Sequence, residues 1–276
     1  MKPIIKWAGG KSQLLDELKK RMPKDVRSIA EPFAGGLALS LEETPEEVLF
    51  SDMNEELMNL YEVIGGRNGV GNVMRIIRTL GNDEETFYAV RGQDVMPGLK
   101  KLSKTKRAAR FLYLNKTAFN GLYRVNSKGF YNVPFGRYER IAIDEDNLRQ
   151  VGRYLRGHCS AMVCGDCRKL MRKIKPGSFC YIDPPYHATF TAYNAGGFGE
   201  EDQKELKRQC DALTKRGVKW MLSNTDDAFV NELYEGCRID HVKAHRFINS
   251  DGKGRSDAGE VIVMNYDEDG NILGRR

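Results

Sequence analysis

The sequence predicts an α/β fold, a doubly wound sheet interrupted by a long, basic and mostly helical insertion. Three observations carry this reading. Residues 28–52 run strand, glycine turn, helix and strand with a terminal acid, the opening unit of such a sheet. Strand patterns resume only after residue 160. Between them, residues 65–156 change to helical periodicity and turn-rich sequence with concentrated positive charge.

Taken in order, residues 28–33 form a buried strand broken by Ala34-Gly35-Gly36, where the backbone can turn sharply. A helix of one to two turns follows from Leu37. Residues 48–52 form a second short strand ending in Asp52. Over 54–64, Leu57, Met58, Leu60, Tyr61 and Ile64 recur at helical spacing. In the insertion, helical patterns at 73–80 and 104–115 precede a stretch at 120–136 punctuated by Gly, Asn and Pro. Strands return at 161–164, 179–182, 218–223 and 261–265, with helical patterns at 200–215 and 227–233. Residues 249–259 are polar and glycine-rich, the composition of a loop.

The chain has 276 residues, 41% of them hydrophobic and 30% charged. That is enough apolar material for a core, and no apolar run reaches the roughly 20 residues of a membrane span. With no signal-peptide pattern at the N-terminus, a cytoplasmic location is expected. Six cysteines lie in the second half. Cys164 and Cys167 have a metal-knuckle spacing, with His158 and Cys159 upstream. The first pair is adjacent and the intervening residues read as strand, so reduced thiols and no metal are expected. The net charge of +6 is unevenly spread: residues 100–140 hold eleven Lys or Arg and one acid, Glu139. Phe111, Tyr113, Phe119, Tyr123, Phe130 and Tyr131 are interleaved with them, which suits a polyanion that also offers stacking surfaces.

Asp183-Pro184-Pro185-Tyr186 is the most specific signal. An apolar strand delivers Asp183 to its carboxyl end, where open α/β sheets place ligands. The two prolines hold an extended path that lacks N–H donors, which frees carbonyl oxygens beside a carboxylate and an aromatic ring. Acceptors of this kind suit a planar exocyclic amine. Holding its N–H bonds draws density onto nitrogen, and the carboxylate stabilises the cation that forms as nitrogen attacks.

Lys6-Trp7-Ala8-Gly9-Gly10-Lys11-Ser12 ends like a phosphate-binding loop. That loop needs another glycine five residues before Gly10, and the position is Ile5. A triphosphatase is therefore disfavoured.

With these pieces assembled, the sequence resembles the Dam-type DNA adenine-N6 methyltransferases along nearly its whole length. The matching motifs occur in the family's order: 6–11, 31–36, 51–55, 120–126, 130–136, Asp183-Pro184-Pro185-Tyr186 and Phe190-Thr191-Ala192-Tyr193. The resemblance implies a Rossmann-like methyltransferase sheet, residues 1–65 and 157–276, with a target-recognition domain inserted at 66–156. It implies S-adenosylmethionine as donor, held by Trp7, Lys11, Glu31, Phe33, Gly35, Asp52 and Asp166 together with Asp183. It implies Asp183, Pro184 and Tyr186 as the catalytic group. Duplex DNA is the implied partner, contacted by Lys6, Phe119, Asn120, Leu122, Arg124, Asn126, Pro134 and Arg137. In the family a hairpin carries the aromatic residue at 119 as a wedge, while Leu122 and Arg124 read base edges.

Alternatives stay open at three residues. Asp52 suits ribose hydroxyls at a strand end, or the N-cap of the next helix. Asp166 suits the donor's adenine, or a helix cap. Arg124 suits guanine by its two-pronged fork, or a phosphate. Three departures from the family are Leu37 after Gly36, three residues between Tyr186 and Phe190, and Phe119 where tyrosine is common. The implied activity is methylation of a flipped adenine, in GATC, by a chain that is monomeric in solution. The alternatives are a silent DNA-binding regulator, or methylation of cytosine N4 or RNA. A restriction endonuclease partner is not legible.

Overall fold

The computed structural model describes residues 1–11, 14–95, 98–187, 198–243 and 259–274. Its helices and strands up to the insertion are α1 (Leu15–Arg21), β1 (Ser28–Glu31), α2 (Ala38–Glu43), β2 (Glu47–Asp52) and α3 (Glu55–Gly65). The insertion supplies α4 (Gly69–Ile77), α5 (Glu84–Arg91) and α6 (Lys104–Thr117), and α7 (Glu145–His158) leads back to the sheet. The remainder is β3 (Cys159–Cys164), α8 (Arg168–Met171), β4 (Phe179–Ile182), α9 (Glu200–Lys215), β5 (Lys219–Thr225), α10 (Ala228–Leu233), β6 (Arg238–Lys243) and β7 (Gly259–Met264).

Seven strands pair in the order β3-β2-β1-β4-β5-β7-β6. Neighbours from β3 to β5 are parallel, and β7 runs against both β5 and β6. The winding reverses between β1 and β4, so the crevice of the fold opens at the carboxyl ends of those two strands.

Strand alternation sorts the core into two layers. Ala30, Leu49, Cys180, Ile182, Trp220, Leu222, Val261 and Val263 face one side, covered by Leu206, Cys210 and Leu213 of α9 and Val230 of α10. Their neighbours face the other side: Val48 and Phe50 meet α3, while Ile29, Phe179, Tyr181, Met221 and Ile262 meet Leu18 of α1 and Leu39 of α2. Strands buried on both faces explain the unbroken apolar runs in the sequence.

Local chemistry sets the helix starts. Asn54 Oδ1 accepts the Leu57 N–H at 2.9 Å, and Glu55 and Glu56 occupy the first turn of α3 where the helix dipole favours them. Asp83, Ser103, Asp144 and Asp227 cap α5, α6, α7 and α10 in the same way. The insertion does not stand apart from the sheet. A single apolar cluster runs from Val48 and Phe50 through Leu57 and Tyr61 of α3 to Val73 of α4, Leu112 of α6 and Val151 of α7.

Candidate active site and nucleic-acid interface

β4 is apolar and buried throughout, and Asp183 follows its last residue on the carboxyl edge beside β1. Two side-chain amides hold the backbone that follows. Gln203 Nε2 of α9 donates to the Pro185 carbonyl at 2.9 Å, and Asn224 Oδ1 of β5 accepts the His187 N–H at 3.0 Å. Asn224 Nδ2 donates in turn to Gln203 Oε1 at 3.1 Å, and both residues are fully buried. The tetrapeptide is therefore clamped from two directions, as a buried amide network can do when its members satisfy one another.

Lys11 is buried, and its Nζ lies 3.2 Å from Asp183 Oδ1 and 4.3 Å from the Tyr186 ring centroid. The first contact is a charge pair without hydrogen-bond alignment, and among the described residues Oδ1 has no aligned donor. Burial pushes the Asp183 carboxyl up to about 6; the Lys11 ammonium pulls it down, and the Glu260 carboxylate pushes it further up. The Tyr186 hydroxyl donates to Glu260 Oε2 at 2.9 Å.

Across the crevice, β1 delivers Glu31, whose Oε1 accepts the Ser40 N–H at 2.9 Å and so ties the strand to α2. Burial pushes the Glu31 carboxyl up to about 7 against the lowering effect of that hydrogen bond. In the turn that follows, Gly35 has φ +44°, and a Cβ there would lie 2.7 Å from Trp7 Cδ1. Glycine is what lets the indole close over the turn. Leu37 also takes a left-handed conformation, φ 53°, with its side chain fully buried. The strain of a non-glycine residue there is offset by core packing.

Asp52 ends β2 as expected, but it does not cap α3. Asn54 does that, while the Asp52 oxygens accept the Gly35 N–H at 3.0 Å and the Asn54 N–H at 2.9 Å. Burial raises the Asp52 carboxyl above its usual range against those bonds. Asp166 accepts the Arg168 N–H at 2.8 Å and pairs with the Arg168 guanidinium, which lowers its carboxyl. Phe33 meets Phe198 edge-on, with ring centroids 5.9 Å apart.

Trp7, Lys11, Glu31, Phe33, Gly35, Asp52, Asp166, Asp183, Pro184 and Tyr186 all line one cleft of ≈ 1160 Å³. The far wall comes from the insertion, through Tyr123, Val125 and Tyr131. Trp7 stacks on Tyr123 at 5.7 Å and 22°.

The segment 118–136 is a hairpin, with bridges Ala118↔Phe135 and Val125↔Tyr131. Phe119 is 51% exposed, and Asn120, Arg124, Pro134 and Arg137 are also exposed. Asn120 adopts φ 54°, which places a sharp corner beside Phe119. Arg124 Nε donates to Asn132 Oδ1 at 2.8 Å. Asn126 Oδ1 accepts from the Lys128 and Phe130 N–H groups at 2.9 and 3.0 Å, so this side chain shapes the turn. Leu122 is half-buried against the core, and Arg137 lies 3.8 Å from Glu84. The Lys6 side chain is exposed near the Tyr138 ring, 5.9 Å away. Its backbone exchanges two hydrogen bonds with the Asn115 amide, which also donates to the Gly121 carbonyl. Asn115 thereby joins the N-terminal motif to the hairpin.

Sequence reasoning missed Glu260, Gln203, Asn224, Asn115 and Asn132. Lys11 lines the cleft with the other residues expected around the methyl donor, and the structure adds that its ammonium faces Asp183 and Tyr186. The motif at 190–193, Ser12 and the loop at 249–258 lie outside the described residues. All six cysteines are free thiols, and among the described residues no group of three or more His, Cys, Asp or Glu could hold a metal ion. No helix among those residues is long and apolar enough to cross a membrane.

A parallel sheet with one reversed strand, and a carboxylate beside an aromatic ring at its switch point, has the form of a Rossmann-like methyltransferase. The chain belongs to the D12 class N6 adenine-specific DNA methyltransferase family, which it matches over residues 7–248. It is 38% identical to the type II methyltransferase M.MjaIII of Methanocaldococcus jannaschii, over 96% of this chain and 99% of that protein. It is 36% identical to the type II methyltransferase M1.LlaDCHI of Lactococcus lactis subsp. cremoris, over 96% of each. It is 31% identical to the DNA adenine methylase of Escherichia coli strain K12, over 95% and 94% of the two chains.

Proposed function

We propose that this chain is a site-specific adenine DNA methyltransferase that draws a flipped adenine into the cleft and methylates N6 from S-adenosylmethionine. The observation that carries this is the Asp183 carboxylate beside the Tyr186 ring, in a cleft shared with a glycine turn and a strand-end acid. The cleft exceeds the roughly 300–1,000 Å³ of a one-ligand pocket, which gives room for base and donor together.

The residues present fit the donor. Gly35 lets the Trp7 indole close on the turn as an aromatic wall of the cleft, and Asp52 presents acceptors for ribose hydroxyls. When bound, the donor supplies an electrophilic methyl group. Asp183 and the Pro184 carbonyl hold the N–H bonds of the amine, and Tyr186 stacks on the base. Asp183 then stabilises the cationic nitrogen until its proton leaves. The Lys11 ammonium lies against both groups that would receive the base, so it withdraws from Asp183 as the base enters.

Residues 66–156 serve as the recognition segment. Phe119 fills the space left in the stack, and Arg124 reads guanine with its guanidinium, which Asn132 orients through Nε and one Nη group. Flipping costs about a few kcal/mol, offset by phosphate contacts and by stacking. The hairpin's resemblance to that of GATC-specific enzymes supports GATC as the target, and the enzyme acts as a monomer in the cytoplasm. The test is expression in a host free of adenine methylation, followed by base-resolution mapping of the plasmid. N6-methyladenine confined to GATC is expected. Methylated cytosine, or no modified base, refutes the proposal.

A further inference from the structure

Glu260 is the second residue of β7, and the four residues after it, Val261 to Met264, are apolar and buried. Glu260 itself is 5% exposed, and its register neighbours are Thr225 on β5 and Val242 on β6, neither of them charged. A carboxylate in that position has lost its hydration and is retained only through hydrogen bonds. The Tyr186 hydroxyl supplies one at 2.9 Å. That bond pins the far end of the ring and so fixes the direction of the side chain. The near end is set by the clamped backbone, since Gln203 and Asn224 hold the residues on either side of Tyr186. The ring is thus held at both ends, with one face toward the Lys11 ammonium and Asp183 alongside.

We propose that Glu260 is a positioning residue for methyl transfer: through the Tyr186 hydroxyl it fixes the ring on which the target adenine stacks beside Asp183. The inference rests on the reading of the site given above. It also explains why a charge stands at the mouth of an otherwise apolar strand.

A double-mutant cycle tests it. Steady-state methyl transfer is measured for the wild-type chain, Glu260→Gln, Tyr186→Phe and the double variant. Glutamine keeps the shape of glutamate and a neutral acceptor, and thermal unfolding checks that each variant folds cooperatively. Glu260→Gln should lower kcat roughly tenfold, the scale of weakening a charged hydrogen bond, with KM for S-adenosylmethionine unchanged. At pH ~8, where Asp183 is ionised with or without the Glu260 charge, the same change in the Tyr186→Phe background should alter kcat less than about twofold, because the bond it weakens is already gone. A duplex with 2-aminopurine at the mapped target base gives a readout without turnover. Its fluorescence on binding should show a less quenched, less stacked base in both single variants. An equal loss in the two backgrounds, or no loss in either, overturns the inference while leaving the activity standing. If the wild-type chain itself fails to methylate adenine, the underlying reading falls, and the inference with it.

Discussion

Replacing Asp183 with asparagine should stabilise the fold at alkaline pH while abolishing methyl transfer. The carboxyl ordinarily titrates near 3.8, and burial pushes it up to about 6 in the fold, against the pull of Lys11. Because the folded value is the higher one, the folded chain holds this proton more tightly than the unfolded chain does. Stability from this group is therefore full below the unfolded value and is lost as pH rises through about 6. A displacement from 3.8 to about 6, at roughly 1.4 kcal/mol per unit, makes the ionised group cost roughly 3 kcal/mol. Asparagine imitates the neutral carboxyl and avoids that cost at every pH. Urea unfolding should show the variant ahead by about 3 kcal/mol near pH ~8 and by only about 1 kcal/mol near pH ~4.5. An advantage that does not change with pH, or a variant less stable at the higher pH, refutes the picture of a disfavoured buried charge. In the wild-type chain, transfer should fall about tenfold per pH unit below about 6, as the carboxylate is protonated.

Three further outcomes are expected. Asp52→Asn should weaken S-adenosylmethionine binding by roughly tenfold in calorimetry, through loss of charged hydrogen bonds, and leave DNA affinity intact. Arg124→Ala should cost about 1–3 kcal/mol of discrimination at one base pair in methylation of substituted oligonucleotides. A uniform loss across all sequences would instead place Arg124 on a phosphate. Gly35→Ala should cost about 1–3 kcal/mol of stability in thermal unfolding, because a Cβ meets the Trp7 indole at 2.7 Å and φ is positive.

The apolar strands and the helices with clean periodicity were legible because burial on both faces leaves a plain signal. α9 spans 200–215 just as its spacing implies, and β4 spans 179–182. The elements that escaped notice are those in which charge outweighs periodicity. β6 carries Arg238, Asp240 and Lys243 at the edge of the sheet, and α7 shows only Leu148, Val151, Tyr154 and Leu155 among many charges. At the site, Asp183, Tyr186 and Asp52 announced themselves by standing at strand ends. Glu260, Gln203 and Asn224 did not, because an acid or amide contributed from a distant element leaves no local pattern. Only the register of β7, the docking of α9 and the pairing of β5 with β4 bring them to Tyr186, Pro185 and His187. The pairing of Lys11 with Asp183 was equally invisible, since spacing locates a side chain without saying which group it faces.

The apolar cluster that joins α3 to α4, α6 and α7 bears on how such enzymes can be recombined. A chimaera that exchanges only the exposed hairpin would leave that cluster unaltered. One cut at the ends of the insertion would instead pair the inner face of a foreign α6 with the native Leu57, Leu60 and Tyr61. Moving the insertion whole therefore means carrying the facing side of α3 across as well, together with the N-terminal segment that Asn115 grips at Lys6.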